Sequence, residues 1–221
     1  LLCLTLQGFF CYDTKKYSHY LRMRMVGIKL STGELLDQKA SCFMVLLEEG
    51  FSFSALLQEM AEKGMPQLQF FMQKQKFTGK LMSTLSVPVV VKGSVTQLLF
   101  VGMGKGTKKN NLEVENYRRA VAHGLRQAAA LKCDTVAFHM PSEKSFGVTA
   151  EFLAKQTAII AHMAIYQFTE FFSDPERKGV EIKEIILCTD AKNKKNIQDG
   201  VNQGEVIGLA VNKTRHWVDT P

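Results

Sequence analysis

The segment of this chain whose residue types come nearest to a chemical function is a glycine-rich turn, Gly102-Met103-Gly104-Lys105-Gly106-Thr107, which follows an apolar run and leads toward a helical pattern. Backbone amides exposed at such a strand-to-helix turn attract phosphate groups. The spacing fits neither standard cradle. A P-loop requires G-x-x-x-x-G-K-[ST], and the dinucleotide fingerprint requires a third glycine where Thr107 stands, with the helix opening directly rather than after Lys108-Lys109-Asn110. A flexible connecting turn is the favoured reading. His19, His123, His139, His162 and His216 are dispersed and form no H-x-x-x-H or H-E-x-x-H pair, so a histidine metal site would have to be assembled from distant segments. His139, inside an apolar strand pattern, reads as a core histidine. Ser142 and Ser145 follow that strand, but Phe146-Gly147 does not complete a G-x-S-x-G nucleophile motif. The carboxylate pairs Glu48/Glu49 and Asp174/Glu176 fall at element ends, where exposure to solvent is the default. The expectation is that the chain holds no catalytic, cofactor-binding or metal-binding residue of its own.

Composition narrows the classes further. With 221 residues, 46% of them hydrophobic, the chain can bury a large core and make one domain with at most a small extension. No run approaches the roughly 18 apolar residues needed to span a bilayer. Leu1 to Phe10 is apolar but short, no basic region precedes it, and Cys11-Tyr12-Asp13-Thr14 is not a small-residue cleavage site, so it reads as a frayed or edge segment. Cys3, Cys11, Cys42, Cys133 and Cys188 are odd in number and lack a C-x-x-C pair, which disfavours a disulfide framework or a structural zinc site and points to a reducing cytoplasm. The formal charge of +7 allows weak attraction to nucleic acid. The lysines nevertheless fall in separate groups, Lys74/Lys76/Lys80, Lys105/Lys108/Lys109 and Lys192/Lys194/Lys195, with no interleaved aromatic residues to stack on bases.

The elements that would have to position any site alternate along the chain. Arg22 to Leu30 partly alternates polar and apolar residues and ends in the turn Ser31-Thr32-Gly33-Glu34, which predicts a strand and hairpin. Cys42 to Leu47 is continuously apolar, as in a strand covered on both faces. A helix over Ala55 to Lys63 stops before Gly64 and Pro66. Phe77 to Val91 reads as a ribbon whose Pro88 confines it to a sheet edge or bulge. Gln97 to Val101 is a buried strand, and a helix starting at Asn110 or Asn111 repeats Val114, Tyr117, Val121, Leu125, Ala128 and Leu131 at intervals of three and four. A strand over Thr135 to Met140, a helix from about Thr149 to Phe172 with Phe152, Ile159, Ile160, Met163 and Phe168 on its apolar face, a strand over Glu181 to Cys188 and a helix beginning near Asn193 or Asn196 complete the order. Such alternation implies a largely parallel sheet with helices on its faces. In the last helix Gly200, Gly204 and Gly208 form one bare ridge. Each interior glycine costs roughly 0.5–1 kcal/mol relative to alanine, so a ridge of them predicts a closely pressed neighbour, the sheet or another helix.

Several of these segments together resemble one family. Leu98-Leu99-Phe100-Val101-Gly102-Met103-Gly104, followed by a helix bearing Tyr117-Arg118-Arg119-Ala120, resembles the V-G-x-G and R-R-A passage of the amino-terminal domains of leucyl (cytosol) aminopeptidases. Ile165-Tyr166-Gln167-Phe168 is similar to that family's L-x-x-Y-x-F segment. Thr214-Arg215-His216-Trp217-Val218-Asp219-Thr220-Pro221 resembles its A-R-D-L-x-N-T-P hinge, departing at Thr214, His216, Trp217 and Asp219. The resemblance is good from about residue 80 onward and weak before it. Order and spacing carry it, since each motif alone is unspecific.

The resemblance implies an α/β, three-layer, macro-domain-like fold with a largely parallel mixed sheet flanked by helices. It implies residues 1–21 as a poorly defined extension, 22–211 as the amino-terminal-like domain and 212–221 as the start of a hinge to a catalytic domain absent from this chain. In the family that partner domain holds two divalent metals, zinc or manganese, on a lysine, aspartates and a glutamate, none of which maps onto this sequence. The chain is then inactive alone, and its role is structural, oligomer-forming (a hexamer in the family) and access-controlling for an enzyme that removes amino-terminal residues from peptides. Two alternatives remain: a macro-like module binding a nucleotide or ADP-ribose at residues 102–106, and a basic nucleic-acid scaffold. Trp217, the sole tryptophan, is expected at the surface on the side facing the partner domain.

Overall fold

Alternation of apolar side chains between two cores dictates the architecture. The computed structural model describes residues 26–63, 65–106, 112–168 and 181–220. Leu1 to Phe10, Cys3, Cys11, His19, Arg22 to Met25, Asn110/Asn111, Asp174-Pro175 and Glu176 lie outside the described residues. Strands β1 (Gly27–Ser31), β2 (Cys42–Glu48), β3 (Thr84–Val91), β4 (Ser94–Gly104), β5 (Thr135–His139) and β6 (Glu184–Cys188) make a sheet in the order β1-β6-β5-β2-β4-β3. Every neighbouring pair is parallel except β3 and β4. On one face, Cys42, Met44, Leu99, Val101, Val136 and Phe138 meet the helices α3 (Val114–Ala130), α4 (Ala150–Ile165) and α5 (Lys194–Asp219). On the other, Phe43, Val45, Leu98 and Phe100 meet α1 (Ala55–Lys63) and α2 (Leu68–Lys74). The result is a three-layer α/β domain with a largely parallel mixed sheet. Its central strands are apolar throughout because both faces are covered.

Strand β3 forms the edge that Pro88 requires. Val87, Val89 and Val91 face the core while Ser86, Pro88 and Val90 are exposed, and Pro88 pairs only with Gln97 of β4. Lys92 and Gly93, with φ of 51° and 79°, turn the chain directly from β3 into β4. Two consecutive positive φ values match the right-handed twist of the flanking strands. This hairpin lengthens β4 beyond the expected Gln97 to Val101.

Other features also differ from expectation. Strand β1 lies at a parallel edge beside β6, so the turn Ser31-Thr32-Gly33-Glu34 closes no hairpin among the described residues. Helix α2 lies where the sequence shows only a connection after Gly64 and Pro66. Its two turns bury Leu68 and Met72 alone, too short a period to stand out. Helix α3 begins at Val114, after Leu112 and Glu113, but buries the expected face with Tyr117, Val121, Leu125 and Ala128. Helix α4 ends at Ile165, so Phe168 lies beyond it, and Phe152, placed on its inner face by the sequence pattern, is 41% exposed. Side chains of α5 take up the last carbonyls of α4: Asn212 Nδ2 donates to His162 O at 2.8 Å and Arg215 Nη1 to Met163 O at 3.1 Å. Arg215 also lies 4.2 Å from the centre of the Tyr166 ring.

The glycine ridge faces α4, not the sheet. A Cβ at Gly200 would fall on the carbonyl oxygen of Glu151, one at Gly204 on that of Lys155 and 2.7 Å from Ala158 Cβ, and one at Gly208 2.8 Å from His162 Cβ. Removing side chains at every fourth position lets two helix backbones touch.

Candidate functional site

The glycine turn spends its backbone groups inside the domain. Gly102 N donates to Ser83 O at 2.8 Å and Gly104 N to Gly79 O at 3.0 Å, while Gly102 O accepts from Met82 N at 3.0 Å and Gly104 O from Glu49 N at 2.9 Å. A side chain at Gly102 would collide with the backbone of Gly79 and Lys80, and Gly104 has φ of +76°. These glycines therefore let the 79–83 loop close over the end of β4. The amides of Gly102 and Gly104 point into that loop. Thr107, Lys108 and Lys109 lie outside the described residues.

The other sequence candidates are spread over the fold. Ser142 and Ser145 bracket a single turn, Glu143–Ser145, whose Glu143 carboxylate accepts from Ala150 N at 2.9 Å at the start of α4. His139 ends β5, His123 lies on α3, His162 on α4 and His216 on α5. Among the described residues no group of three or more His, Cys, Asp or Glu side chains could hold a metal ion. Cys42, Cys133 and Cys188 are free and buried. The Cys42 thiol is held far above its ordinary value by its hydrogen bond with Cys133 and by burial, and burial pushes Cys188 up to about 11. Both stay protonated at neutral pH and act as small core hydrophobes.

Polar groups do converge between α3 and α4. Tyr117, fully buried, donates to Thr157 Oγ1 at 2.5 Å, and Thr157 in turn donates to Leu153 O at 2.8 Å. Burial raises the Tyr117 phenol well above its ordinary value, so this pair is a structural crosspiece. Outside it, Glu115, Arg118, Arg119, Ala122 and Arg126 line a cleft of about 210 Å³ with Met82 and Ile160. Arg119 Nε donates to Glu115 at 3.0 Å, and Arg118 Nη1 lies 3.8 Å from the same carboxylate. In the sequence Arg118 and Arg119 belong to a recognisable motif and Arg126 to none. The spacing i, i+3, i+4, i+7, i+11 on one helix was the available signal.

At the far end of α5, Trp217 is 64% and Val218 78% exposed, and Lys213 Nζ sits 5.0 Å from the Trp217 ring. The expected surface position of Trp217 is thus observed. Among the described residues no helix is long and apolar enough to cross a membrane.

Layering and strand order define a macro-domain-like α/β domain. A macro domain of ganglioside induced differentiation associated protein 2 superposes with a TM-score of 0.57 at 11% identity, covering 82% of this chain and 85% of that one. A tomato leucine aminopeptidase mutant superposes with a TM-score of 0.69 at 14% identity, covering 89% of this chain and 39% of that one. In sequence, residues 44–175 match the model of the cytosol aminopeptidase family, N-terminal domain. A probable cytosol aminopeptidase of Synechococcus sp. (strain JA-3-3Ab) is 34% identical over 155 residues, 67% of this chain and 29% of that protein. The chain belongs to the cytosol aminopeptidase family, as a domain of its amino-terminal type. It spans about a third of the length of the relatives it matches.

Proposed function

We propose that this chain serves as the non-catalytic amino-terminal domain of a leucyl aminopeptidase-type metallo-exopeptidase, with a structural, oligomer-forming and access-controlling role. The family match over residues 44–175 carries the reading. Residues 22–211 form the domain and 212–221 begin the hinge. Two divalent metals, zinc or manganese, belong in this reading to the catalytic region of the intact enzyme; among the described residues of this chain no group of three or more His, Cys, Asp or Glu side chains could hold one. No step of peptide hydrolysis is assigned to a residue here. Cytoplasmic residence fits the free cysteines. A nucleotide site at residues 102–106 is disfavoured by the inward use of the Gly102 and Gly104 amides.

Leucine p-nitroanilide turnover tests the reading. The purified chain, with manganese or zinc added, is expected to show none. Added to the catalytic region of the Synechococcus relative, it is expected to form a complex detectable by light scattering and to change that region's turnover. Metal-dependent hydrolysis by the chain alone, lost on a core substitution such as Leu125→Asp, overturns the proposal. So does failure to associate with the catalytic region.

A further inference from the structure

The cleft on the outer side of α3 is charged out of proportion to its partners. Three guanidinium groups, those of Arg118, Arg119 and Arg126, share it with one carboxylate, Glu115. Arg119 holds that carboxylate at 3.0 Å, and Arg118 reaches it only at 3.8 Å. Arg118 Nε is buried and has no hydrogen-bond acceptor among the described residues. Arg126 is exposed, and no carboxylate among the described residues pairs with it. Arg118 and Arg126 stand eight residues apart, about 12 Å along the helix axis, so their long side chains can converge on one bound group. Guanidinium forks match the planar pair of oxygens of a carboxylate or two oxygens of a phosphate.

The rest of the cleft is apolar. Ile160 on α4, Ala122 on α3 and Met82 form its walls. The Met82 N–H bond to Gly102 O at 3.0 Å fixes the backbone of that residue within the 79–83 loop, and its side chain is 40% exposed. At about 210 Å³ the cleft lies below the roughly 300–1,000 Å³ of drug-sized pockets, which suits one anionic group on a small apolar body.

We propose that this cleft is a binding site for a small organic oxyanion, a phosphate or carboxylate carried on an apolar group, with Arg118 and Arg126 holding the oxygens and Met82 and Ile160 packing against the apolar part. Glu115 holds Arg119 at the rim. The site is separate from the aminopeptidase reading and stands or falls without it.

Titration of the full chain with phenyl phosphate and with benzoate, followed by the arginine Nε–Hε signals in nitrogen-15 spectra, tests the site and tells phosphate from carboxylate. Saturable binding of at least one of them, with movement of an Nε–Hε signal that is missing in Arg118→Gln, is expected. Arg126→Gln, at an exposed position, should keep the melting temperature and weaken binding about tenfold, the loss of one charge-assisted contact. Lys213→Gln, remote on α5, should leave binding unchanged. Equal binding of inorganic phosphate and phenyl phosphate would overturn the apolar half of the assignment. Binding unaltered in Arg126→Gln, or saturable binding of neither probe, would overturn the whole.

Discussion

The two faces of α5 treat the same helix in opposite ways. Inward, Ile197 and Val201 bury in the core while Gly200, Gly204, Gly208 and Asn212 press directly on α4. Outward, Val206, Trp217 and Val218 are 70%, 64% and 78% exposed. The anchored face is thus the one with its side chains removed, and much of the apolar bulk stands on the free face. Backbone contact fixes the register of α4 against α5, because a side chain at any ridge position would strike a carbonyl or a Cβ rather than a yielding side-chain tip. Exposed apolar bulk, in contrast, contributes little to the stability of the isolated domain and is available to a partner.

Gly204→Leu should break the inner face outright. The new side chain meets the Lys155 carbonyl and Ala158 Cβ, and overpacking of that kind costs about 3 kcal/mol or more at its upper end. Urea unfolding measures it, and an unchanged midpoint would mean that α5 does not sit on α4. Tyr117→Phe probes the neighbouring α3–α4 contact. It removes the hydrogen bond to Thr157 but leaves Thr157 bonded to Leu153 O, so a loss of about 1 kcal/mol is expected from the same measurement.

A pH-confined effect follows from His162, buried at the seam next to Gly208, where burial holds its pKa below the ordinary 6.5. The unfolded chain takes up the proton first as pH falls, so stability declines below about pH 6.5 until the folded-state value is reached. His123 shifts the same way, through burial and then the charge of Arg126. Glu205 opposes them, because burial raises its carboxyl and the folded state gains relative stability on approach to that carboxyl's range. Thermal melts between pH 8 and pH 5 should show a downward trend that is shallower in His162→Gln. A flat profile in the unmodified chain would contradict the burial of His162.

The smallest stability effect belongs to the outer face. Trp217→Ser should shift stability by less than about 0.5 kcal/mol, as for other exposed positions. Acrylamide should quench Trp217 readily in the isolated chain and poorly once the catalytic region is bound. Strong shielding in the isolated chain would remove the distinction between the two faces.

Periodicity made much of this legible. The 3.6-residue repeat of Val114, Tyr117, Val121, Leu125 and Ala128 marks α3, and the unbroken apolar run of β2 marks a strand covered on both faces. Where a segment is too short for its period to repeat, as in α2, or where its end is set by another helix's side chains, as at Ile165, the local pattern carries no such mark. The arginine cleft was legible only in part. Its α3 residues share a face by spacing, but Met82 and Ile160 come from other segments brought alongside by folding.

The alternation of strands and helices from Gln97 onward, Pro88 at an edge and the need for a close neighbour along Gly200, Gly204 and Gly208 are all determined by the sequence, because each is a local consequence of side-chain size, branching or a missing N–H. Which neighbour fills the glycine ridge, and whether the amides of Gly102 and Gly104 face a ligand or the 79–83 loop, were decided only by the tertiary structure. Both depend on contacts between residues far apart in the chain, whose distances no local pattern of residue types encodes.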